Sequence, residues 1–515
     1  MAFVLIGFMG AGKSTVAAEL AEALGAASLD SDELLAQRLG HSLAREFELH
    51  GESAFRMQEE ELVCELLASA GPQDVIALGG GSVTSARVRA ALASHLTVLL
   101  DVDPLTAWER VRSSDNGAER PLARDRDAFL TLHSGRRTTY DELADAVLPE
   151  MPAGAVTAAL DALRALTSAP PGTRMLWASS ESGSYPVLVG RGLLDVASRP
   201  EIWPLDRSTS RSFCVSDETV GALYAERLGE MAATIAIAPG EGSKTLASAE
   251  RVWRALLDAG MTRADHLVAL GGGVVGDLAG FCAATYQRGV PVVQVPTTLV
   301  AQVDSAYGGK TGVDLPEAKN YVGVYHQPAA VLVDPDALAT LPEPERAAGW
   351  VEVLKTALIS GGGLWEAVAA GAEVDEQMIV ACARTKLAVV AADERDAGRR
   401  QVLNLGHTVG HAIEAATGYV RYRHGEAVGL GLLAALRLSG QEDLRARVRE
   451  LLAARGLPVS LAGPTVEAVV EATWRDKKRV GERLGFVLLR EPGDVRTGQE
   501  VAIDELTAAV AELAR

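Results

Sequence analysis

Lysine is scarce in this chain of 515 residues, since eight lysines stand against 41 arginines. Arginine serves wherever a plain cation suffices, so we expect the lysines to mark positions that need a compact, flexible ammonium group. All of them lie in or beside glycine-rich, acidic or histidine-bearing motifs: Lys13, Lys244, Lys310, Lys319, Lys355, Lys386, Lys477 and Lys478. This distribution predicts an enzyme that acts on phosphorylated or carboxylated small molecules.

Cysteines, long apolar runs and net positive charge are also lacking. The four cysteines are far apart and form no Cys-x-x-Cys pair, which predicts a reducing compartment without disulfides or thiolate–zinc sites. No run approaches the ~20 apolar residues of a membrane span, and no signal peptide precedes the first predicted strand. A net charge of −19 argues against nucleic acid and anionic membranes as partners. We expect a soluble cytoplasmic protein with small-molecule substrates.

Short apolar runs alternate with helical stretches in two segments, which predicts an α/β fold with parallel sheets and flanking helices. The predicted strands are Phe3–Ile6, Ala26–Leu29, Val75–Leu78 and Thr97–Asp101, then Tyr185–Val189, Phe213–Ser216, Ile235–Ala238, His266–Leu270, Val292–Val295 and Val331–Asp334. Residues from about 340 onward show mainly helical periodicity, as in Glu426–Ser439 and Glu442–Ala454. We predict a first domain at 1–167, a linker at 168–174, an α/β lobe at 175–339 and a helical lobe at 340–515.

A glycine-rich loop follows the first strand and opens a helix, as in a P-loop. Its backbone N–H groups would surround phosphate oxygens, while Lys13 reaches the transferred phosphate and Ser14 ligates Mg²⁺. The predicted ATP contacts are Gly10, Ala11, Gly12, Lys13, Ser14 and Thr15. Asp30 and Asp32 lie two apart at the predicted end of the second strand and can face the same side. One would hold Mg²⁺ and the other orient an acceptor hydroxyl, although a helix N-cap is the alternative.

The segment from 1 to about 165 resembles shikimate kinase. The matching motifs are the P-loop, Leu29–Asp32, Gly51–Arg56, Leu78–Gly81, Arg120-Pro121-Leu122 and Arg136 before Tyr140. The resemblance implies a P-loop kinase domain with catalytic Lys13 and Asp32, magnesium at Ser14 and Asp30, and Arg120 in a lid over ATP. It implies shikimate contacts at Asp32, Arg56, Gly79, Gly80 and Arg136. Another small-molecule kinase, such as a gluconate kinase, is the alternative.

The second segment carries its own glycine-rich turn and a histidine cluster. Gly271-Gly272-Gly273 follows a predicted strand and enters a helix, which permits close approach of a pyrophosphate. His407 and His411 lie four apart on one helical face, and Asn404 and Arg400 extend that stripe backward. His424 opens a further helix, and Glu352 offers a carboxylate on another. Two imidazoles and a carboxylate suit catalytic zinc, and the spacing also allows His407 and His411 to be the pair.

Residues from about 185 to 490 resemble 3-dehydroquinate synthase. The matching motifs are Gly271–Gly289, Val295–Leu299, Gln302–Ser305, Gly308–Gly312 and Lys319-Asn320. The resemblance implies a Rossmann-like α/β lobe followed by a helical lobe, with zinc or cobalt held by Glu352, His407 and His424, and NAD as cofactor. It implies NAD contacts at Asp217, Glu241, Lys244, Gly273, Asp277, Thr297, Thr298, Lys319 and Thr340.

The same resemblance implies where the sugar phosphate binds. The implied contacts are Arg288, Asp304, Lys310, Asn320, Lys355, Lys386, Arg400, Asn404, His411 and one of Lys477 and Lys478. Among them, Lys310, Lys355 and His411 would be catalytic. The implied reaction converts 3-deoxy-arabino-heptulosonate 7-phosphate to 3-dehydroquinate and phosphate, and a homodimer through this unit is expected. The alternatives are another sugar-phosphate cyclase, a polyol dehydrogenase, or one unit that is catalytically inactive and regulatory.

Overall fold

The computed structural model describes residues 1–113, 125–152, 154–316, 318–474, 479–480 and 483–514. The chain forms two compact units. Unit 1 comprises Met1–Ala178 with Tyr185–Leu188, and unit 2 comprises Ser179–Ser184 with Val189–Arg515. The predicted domain bounds at 167 and 175 stay a prediction; the strand Arg174–Ser180 begins at the last residue of the predicted linker.

Unit 1 contains a parallel sheet with helices between its strands. Its strands are β1 (Phe3–Ile6), β2 (Ser28–Asp30), β3 (Val75–Ala77), β4 (Leu96–Asp101), β5 (Ala146–Pro149), β6 (Arg174–Ser180) and β7 (Gly183–Val189). Its helices are α1 (Lys13–Leu24), α2 (Ser31–Leu39), α3 (Leu43–Ser69), α4 (Ala86–Leu92), α5 (Pro104–Ser113), α6 (Arg126–Leu143) and α7 (Leu160–Leu166). The strand order is β2-β3-β1-β4-β5-β6-β7, and the pairs from β2 to β6 are parallel.

The central strand β1 explains why this unit is layered. All four residues of β1 are buried, because it lies between β3 and β4 and is covered on both faces. The carboxyl ends of β1, β2 and β3 therefore meet at one edge of the sheet. The P-loop follows β1, Asp30 ends β2 and Asp32 comes just after it. The triple glycine, Gly79-Gly80-Gly81, follows β3.

Unit 2 also contains a run of parallel strands. The strands of unit 2 are β8 (Ser212–Asp217), β9 (Ala233–Ile237), β10 (His266–Gly271), β11 (Val292–Pro296), β12 (Lys310–Leu315), β13 (Ala318–Tyr325), β14 (Ala330–Val333), β15 (Arg479–Val480), β16 (Arg483–Glu491) and β17 (Asp494–Glu500). The order β14-β11-β10-β8-β9 is parallel throughout. The apolar core between this sheet and its helices includes Phe213, Leu267 and Leu278.

Helices dominate unit 2 beyond residue 340, as predicted, and other helices lie between the strands before it. They are α8 (Leu193–Val196), α9 (Glu218–Tyr224), α10 (Leu246–Asp258), α11 (Gly273–Thr285), α12 (Glu343–Ser360), α13 (Gly362–Ala369), α14 (Glu376–Ala392), α15 (His407–Ala416), α16 (His424–Leu438), α17 (Glu442–Ala454), α18 (Val466–Trp474) and α19 (Ile503–Leu513). Two antiparallel hairpins, β12–β13 and β16–β17, were not predicted. Among the described residues, no helix combines the length and apolarity needed to cross a bilayer.

The first residue of β10 is a buried histidine. The side chain of His266 is fully buried, and Trp203 donates from Nε1 to its Nε2 at 3.1 Å. The hydroxyls of Ser210 and Ser212 lie 2.7 and 2.9 Å from its two ring nitrogens. Burial, with a smaller contribution from Arg207, lowers the pKa of His266 to about 4. The native fold therefore holds this imidazole neutral.

We predict that acid destabilises unit 2 through His266. Between pH 6.5 and pH 4 the unfolded chain binds a proton at this histidine while the folded chain does not, so stability falls by about 3 kcal/mol as the pH falls. His266→Asn should be less stable at pH 7 but should lose less stability over this interval. Urea unfolding of both proteins at a series of pH values measures the difference. Equal pH dependence in the two proteins would contradict the prediction.

Candidate active sites

The P-loop of unit 1 depends on two glycines with positive φ. Gly10 and Gly12 have φ values of 82° and 86°, and Gly12 directly precedes α1. A Cβ on Gly10 would lie 2.5 Å from the carbonyl oxygen of Ala107, so this position also requires close approach. The Nζ of Lys13 donates to the carbonyl oxygens of Gly7 and Phe8 at 2.9 and 3.1 Å. The lysine and the amino end of α1 thus meet at the predicted phosphate site.

The two aspartates of unit 1 occupy different elements, which corrects our expectation that both lie on a strand. Asp30 ends β2 and is the N-cap of α2, because its Oδ1 accepts from the backbone N–H of Asp32 at 2.9 Å. Its Oδ2 accepts from the hydroxyl of Ser14 at 2.6 Å. Asp32 lies in the first turn of α2. The carboxylate of Asp30 therefore caps α2 and lies beside Ser14, the predicted magnesium ligand. Asp32, in contrast, lies within the helix.

Asp32 lies beside the triple glycine, together with a glutamate that the sequence did not reveal. A Cβ on Gly79 would lie 2.5 Å from Oδ1 of Asp32 and 2.6 Å from Oε1 of Glu59. Glu59 is buried, accepts from the hydroxyl of Ser82 at 2.8 Å and pairs with Nη1 of Arg56 at 2.6 Å. The missing side chain at Gly79 therefore leaves room for two carboxylates. Glu59 sets the position of Arg56.

Arg136 reaches the same glycine segment from α6. It is buried, and its Nη1 donates to the carbonyl oxygen of Gly80 at 3.1 Å. The hydroxyl of Tyr140 donates to the same oxygen at 2.5 Å, and burial raises the pKa of this tyrosine to about 12. Asp32, Arg56, Gly79, Gly80 and Arg136 thus converge, as the resemblance implied. Arg120 lies outside the described residues.

The glycine turn of unit 2 has the predicted context. β10 ends at Gly271, and α11 begins at Gly273. A Cβ on Gly272 would lie 2.8 Å from Cγ2 of Thr298, so a side chain at this position would displace the threonine. The N–H of Thr297 donates to the carbonyl oxygen of Gly271 at 3.0 Å. Bare backbone is therefore presented at the amino end of a helix, where a pyrophosphate can approach.

Several other predicted NAD contacts have polar partners within unit 2. Lys244 is buried and pairs with Asp277 at 2.5 Å, and it also donates to the side-chain oxygen of Asn320. Desolvation by itself lowers the pKa of Lys244, but the carboxylates of Asp277, Glu241 and Asp314 together raise it. Asp217 is the N-cap of α9, since its Oδ1 accepts from two backbone N–H groups at 2.9 Å. The hydroxyl of Thr340 lies 2.7 Å from that of Tyr224.

A chain of buried charges joins the predicted substrate residues. Lys355 on α12 and Lys386 on α14 both contact the carboxylate of Asp304, which lies on a short π-helical turn; the Lys355 distance is 2.8 Å. Lys386 also donates to the backbone oxygen of Asp304 at 2.6 Å. Burial opposes ionisation of Asp304, but the two lysines hold its pKa well below the usual range. Lys355 pairs in addition with Oε2 of Glu352 at 2.5 Å.

Further predicted contacts lie around this cluster, with one correction. Arg400 and Asn404 belong to a 3₁₀ turn that Gly406, with φ of 77°, separates from α15. The helical stripe predicted from His407 back to Arg400 is therefore wrong, because the backbone leaves helical geometry between them. Arg400 is buried and donates to the carbonyl oxygen of Gly308 at 2.9 Å, beside Lys310. Lys310 pairs with Asp396 at 2.5 Å.

Arg288 makes no hydrogen bond or ion pair with the described residues of this cluster. Arg288 is exposed in the turn after α11, a helix of 13 residues that separates it from Gly273 by roughly 20 Å. Lys477 and Lys478 lie outside the described residues. Their predicted roles stay predictions.

Glu352, His407 and His424 form the predicted metal group. Their ligand atoms lie within 4.8 Å of one another, and Oε1 of Glu352 is 3.7 Å from Nε2 of His407 and 3.4 Å from Nε2 of His424. Oε2 of this buried glutamate is paired with Lys355, while Oε1 accepts no hydrogen bond from the residues that the structure describes. Burial by itself lowers the pKa of His424, but its carboxylate neighbours raise it to about 10. An anionic oxygen beside two imidazoles fits a divalent cation such as zinc.

A second group shares His424 and includes a glutamate that the sequence analysis missed. Ligand atoms of His411, Glu414 and His424 also lie within 4.8 Å of one another. The rings of His407 and His411 are 5.2 Å apart, as expected for one helical face. Glu414 gave no signal in the sequence, because a glutamate three residues after a histidine on a helix is usually exposed to solvent.

Comparisons with known proteins agree with both halves of the chain. The family model of shikimate kinase matches residues 9–165, and the N-terminal and C-terminal models of 3-dehydroquinate synthase match residues 234–348 and 349–479. The 3-dehydroquinate synthase of Halorhodospira halophila is 44% identical over 360 residues, which cover 66% of this chain and 99% of that protein. The chain belongs to the 3-dehydroquinate synthase family. Its first segment is a shikimate kinase domain, so the protein is a bifunctional enzyme of the shikimate pathway, a kinase joined to a lyase.

Solved structures of other cyclases share the fold of the synthase. The 2-epi-5-epi-valiolone synthase of Streptomyces hygroscopicus subsp. jinggangensis, solved with NAD⁺ and Zn²⁺, is 27% identical with a TM-score of 0.59 and covers 65% of this chain and 98% of its own. A 2-deoxy-scyllo-inosose synthase, solved with NAD⁺, Co²⁺ and carbaglucose-6-phosphate, is 24% identical with a TM-score of 0.59. It covers 66% of this chain and 99% of its own.

We predict that Gly79→Ala impairs the kinase and spares the synthase. The new Cβ would displace the carboxylates of Asp32 and Glu59, which lie within 2.6 Å of its position. A displacement of this size should lower kcat/KM for shikimate by a factor on the order of 10 to 100. The matched control is Gly135→Ala. Gly135 is exposed on α6, and beyond its own helix and chain neighbours no heavy atom of the described residues lies within 4 Å of where an alanine Cβ would be. Steady-state kinetics of the kinase and the synthase in both variants test this prediction. Unchanged shikimate kinetics in Gly79→Ala would contradict it.

Proposed function

We propose that unit 1 transfers the γ-phosphoryl group of MgATP to the 3-hydroxyl of shikimate. We propose further that unit 2 uses NAD and zinc, or cobalt, to convert 3-deoxy-D-arabino-heptulosonate 7-phosphate to 3-dehydroquinate and phosphate. The observation that carries the second assignment is the convergence of Glu352, His407 and His424 on one point, beside the buried Lys355. Each active site is built from residues of its own unit.

In the kinase, the residues divide between phosphate and acceptor. Lys13 and the amino end of α1 would bind the phosphates, while Ser14 and Asp30 would hold Mg²⁺. Asp32 would accept the proton of the attacking hydroxyl, and Arg56 and Arg136 would bind the shikimate carboxylate. Since Glu59 holds Arg56 and the carbonyl oxygen of Gly80 holds Arg136, both guanidinium groups are fixed before the substrate binds.

In the synthase, Glu352, His407 and His424 would hold the metal ion. When bound, the metal supplies Lewis-acid polarisation of the hydroxyl that is oxidised. The ammonium groups of Lys355 and Lys386 lie on either side of Asp304, so their charges are available to the substrate's carboxylate and phosphate at fixed positions. Lys310, Arg400, Asn404 and His411 would complete the substrate contacts. His411 would donate or accept a proton at an imidazole nitrogen.

The same assignment leads us to propose the NAD contacts, the oligomeric state and the cellular location of the protein. Lys244, Asp277, Thr297 and Thr298 would bind NAD around the glycine turn, with Asp217, Glu241, Gly273, Lys319 and Thr340 as further contacts. We propose a homodimer through the synthase unit. A cytoplasmic location is supported by the four cysteines, Cys64, Cys214, Cys282 and Cys382, all of which are unpaired.

We predict that both activities are present in one preparation and can be removed separately. Asp32→Asn should lower the kinase rate by a factor on the order of 100 or more and leave the synthase unchanged, because the lost carboxylate belongs only to unit 1. His407→Ala should abolish phosphate release from the heptulosonate and spare the kinase. ADP formation with shikimate and phosphate release with the heptulosonate measure the two reactions.

The same assay separates a synthase from a polyol dehydrogenase. The conversion to 3-dehydroquinate is redox-neutral, so absorbance at 340 nm should show no net NADH during steady turnover. Accumulation of NADH in proportion to product would identify a dehydrogenase and refute the assignment of unit 2. Loss of both activities in Asp32→Asn would show that the two sites are not independent.

We predict that Lys386→Arg lowers kcat/KM of the synthase at least tenfold. The ammonium of Lys386 contacts both the backbone oxygen and the carboxylate of Asp304, and the longer planar guanidinium does not fit the buried space that the compact group occupies. The kinase activity of the same protein is the internal control for its concentration, and an unchanged circular dichroism spectrum is the control for folding of unit 2. Full retention of synthase kcat/KM would show that any cation suffices at this position.

A further inference from the structure

Glu414 is a buried carboxylate that the proposed mechanism does not use. It lies on α15 with 2% of its surface exposed. Its Oε2 is 3.4 Å from Nδ1 of His424, and its Oε1 accepts from Nζ of Lys319 at 3.2 Å. Burying a carboxylate costs several kcal/mol unless it is paired, so these two contacts account for its position.

The contact with His424 is to the nitrogen that faces away from the metal group. Nε2 of His424 faces Glu352 at 3.4 Å, while Nδ1 faces Glu414. His407 shows the same arrangement, because its Nδ1 lies 3.2 Å from the carbonyl oxygen of Leu405 and its Nε2 faces Glu352. In both rings an acceptor at Nδ1 favours the tautomer whose Nε2 lone pair is free for a metal.

We propose that Glu414 is a positioning residue that holds the Nδ1 proton of His424 and thereby orients its Nε2 toward the metal. This inference rests on the proposed metal group of Glu352, His407 and His424. Because the other oxygen of Glu414 binds Lys319, the same carboxylate also connects the metal site with β13. Lys319 lies 3.8 Å from Glu241, a predicted NAD contact. Glu414 therefore links the metal ligand to the cofactor side of the site.

The geometry favours this role over direct ligation by Glu414. In the alternative group of His411, Glu414 and His424, the ion would lie next to the ammonium of Lys319, which occupies one oxygen of the glutamate. Lys319 is the cation that compensates Glu414, just as Lys355 pairs with Oε2 of Glu352, so the ammonium groups do not distinguish the two carboxylates. At Glu352, by contrast, two imidazole nitrogens point to the same carboxylate oxygen.

The test is zinc affinity of the full-length protein, measured by competition with a chromophoric chelator. Glu414→Ala should weaken zinc binding about 10- to 100-fold. Glu414→Gln should lose less, because its amide oxygen still accepts the Nδ1 proton. The matched control is Asp265→Asn, since Asp265 is also a buried carboxylate paired with a cation, Arg211, but lies at the opposite end of β10 from the glycine turn. Its zinc affinity should not change.

A second measurement separates positioning from ligation. The visible absorption of the Co²⁺-loaded Glu414→Gln protein should keep the band pattern of the parent, since the ligands are unchanged, and KM for NAD should rise through the released Lys319. A changed band pattern would make Glu414 itself a ligand and overturn the inference. So would wild-type zinc affinity in both variants. If Glu414→Ala does not fold, Glu414→Gln decides. Absence of zinc binding in the parent would instead refute the proposed metal group.

Discussion

The carboxylate of Asp304 allows two lysines to lie buried in the second unit. Lys355 and Lys386 are almost fully inside the protein, and a buried ammonium without a counter-ion would cost several kcal/mol or lose its proton. Asp304 contacts both, and Lys355 contacts Glu352 as well. The position of the metal carboxylate is therefore tied to that of the cations assigned to the substrate. Changing one of these charges leaves another buried and uncompensated, so the cluster acts as a unit.

The two units fix their charged groups by different means. In unit 1 the cations assigned to the shikimate carboxylate are arginines, with Arg56 held by Glu59 and Arg136 by the carbonyl oxygen of Gly80. Their planar guanidinium groups suit a carboxylate that binds in two-point fashion. Unit 2 uses compact ammonium groups in a tighter space, together with Arg400 fixed by Gly308. The scarcity of lysine in the chain thus corresponds to a structural difference between the sites.

Sequence patterns predicted the parts that depend on local order. The predicted bounds of β1 match the structure at both ends. The strands that precede the glycine turns were predicted to within a few residues, because buried parallel strands form short apolar runs. The β12–β13 hairpin was missed because its burial pattern does not alternate, and β6 because it adjoins a proline-rich stretch. Glu59 and Glu414 could not be found from the sequence. Both are buried only through contacts with distant segments, Ser82 and Lys319 respectively.

The chemistry proposed for unit 2 requires that Glu352, His407 and His424 hold a metal ion. X-ray absorption at the zinc edge of the zinc-loaded full-length protein tests this most directly. We expect two imidazole ligands and oxygen scatterers, with no sulfur in the first coordination shell. A shell that contains sulfur, or that lacks imidazole scattering, would contradict the assignment and with it the proposed chemistry of the second unit.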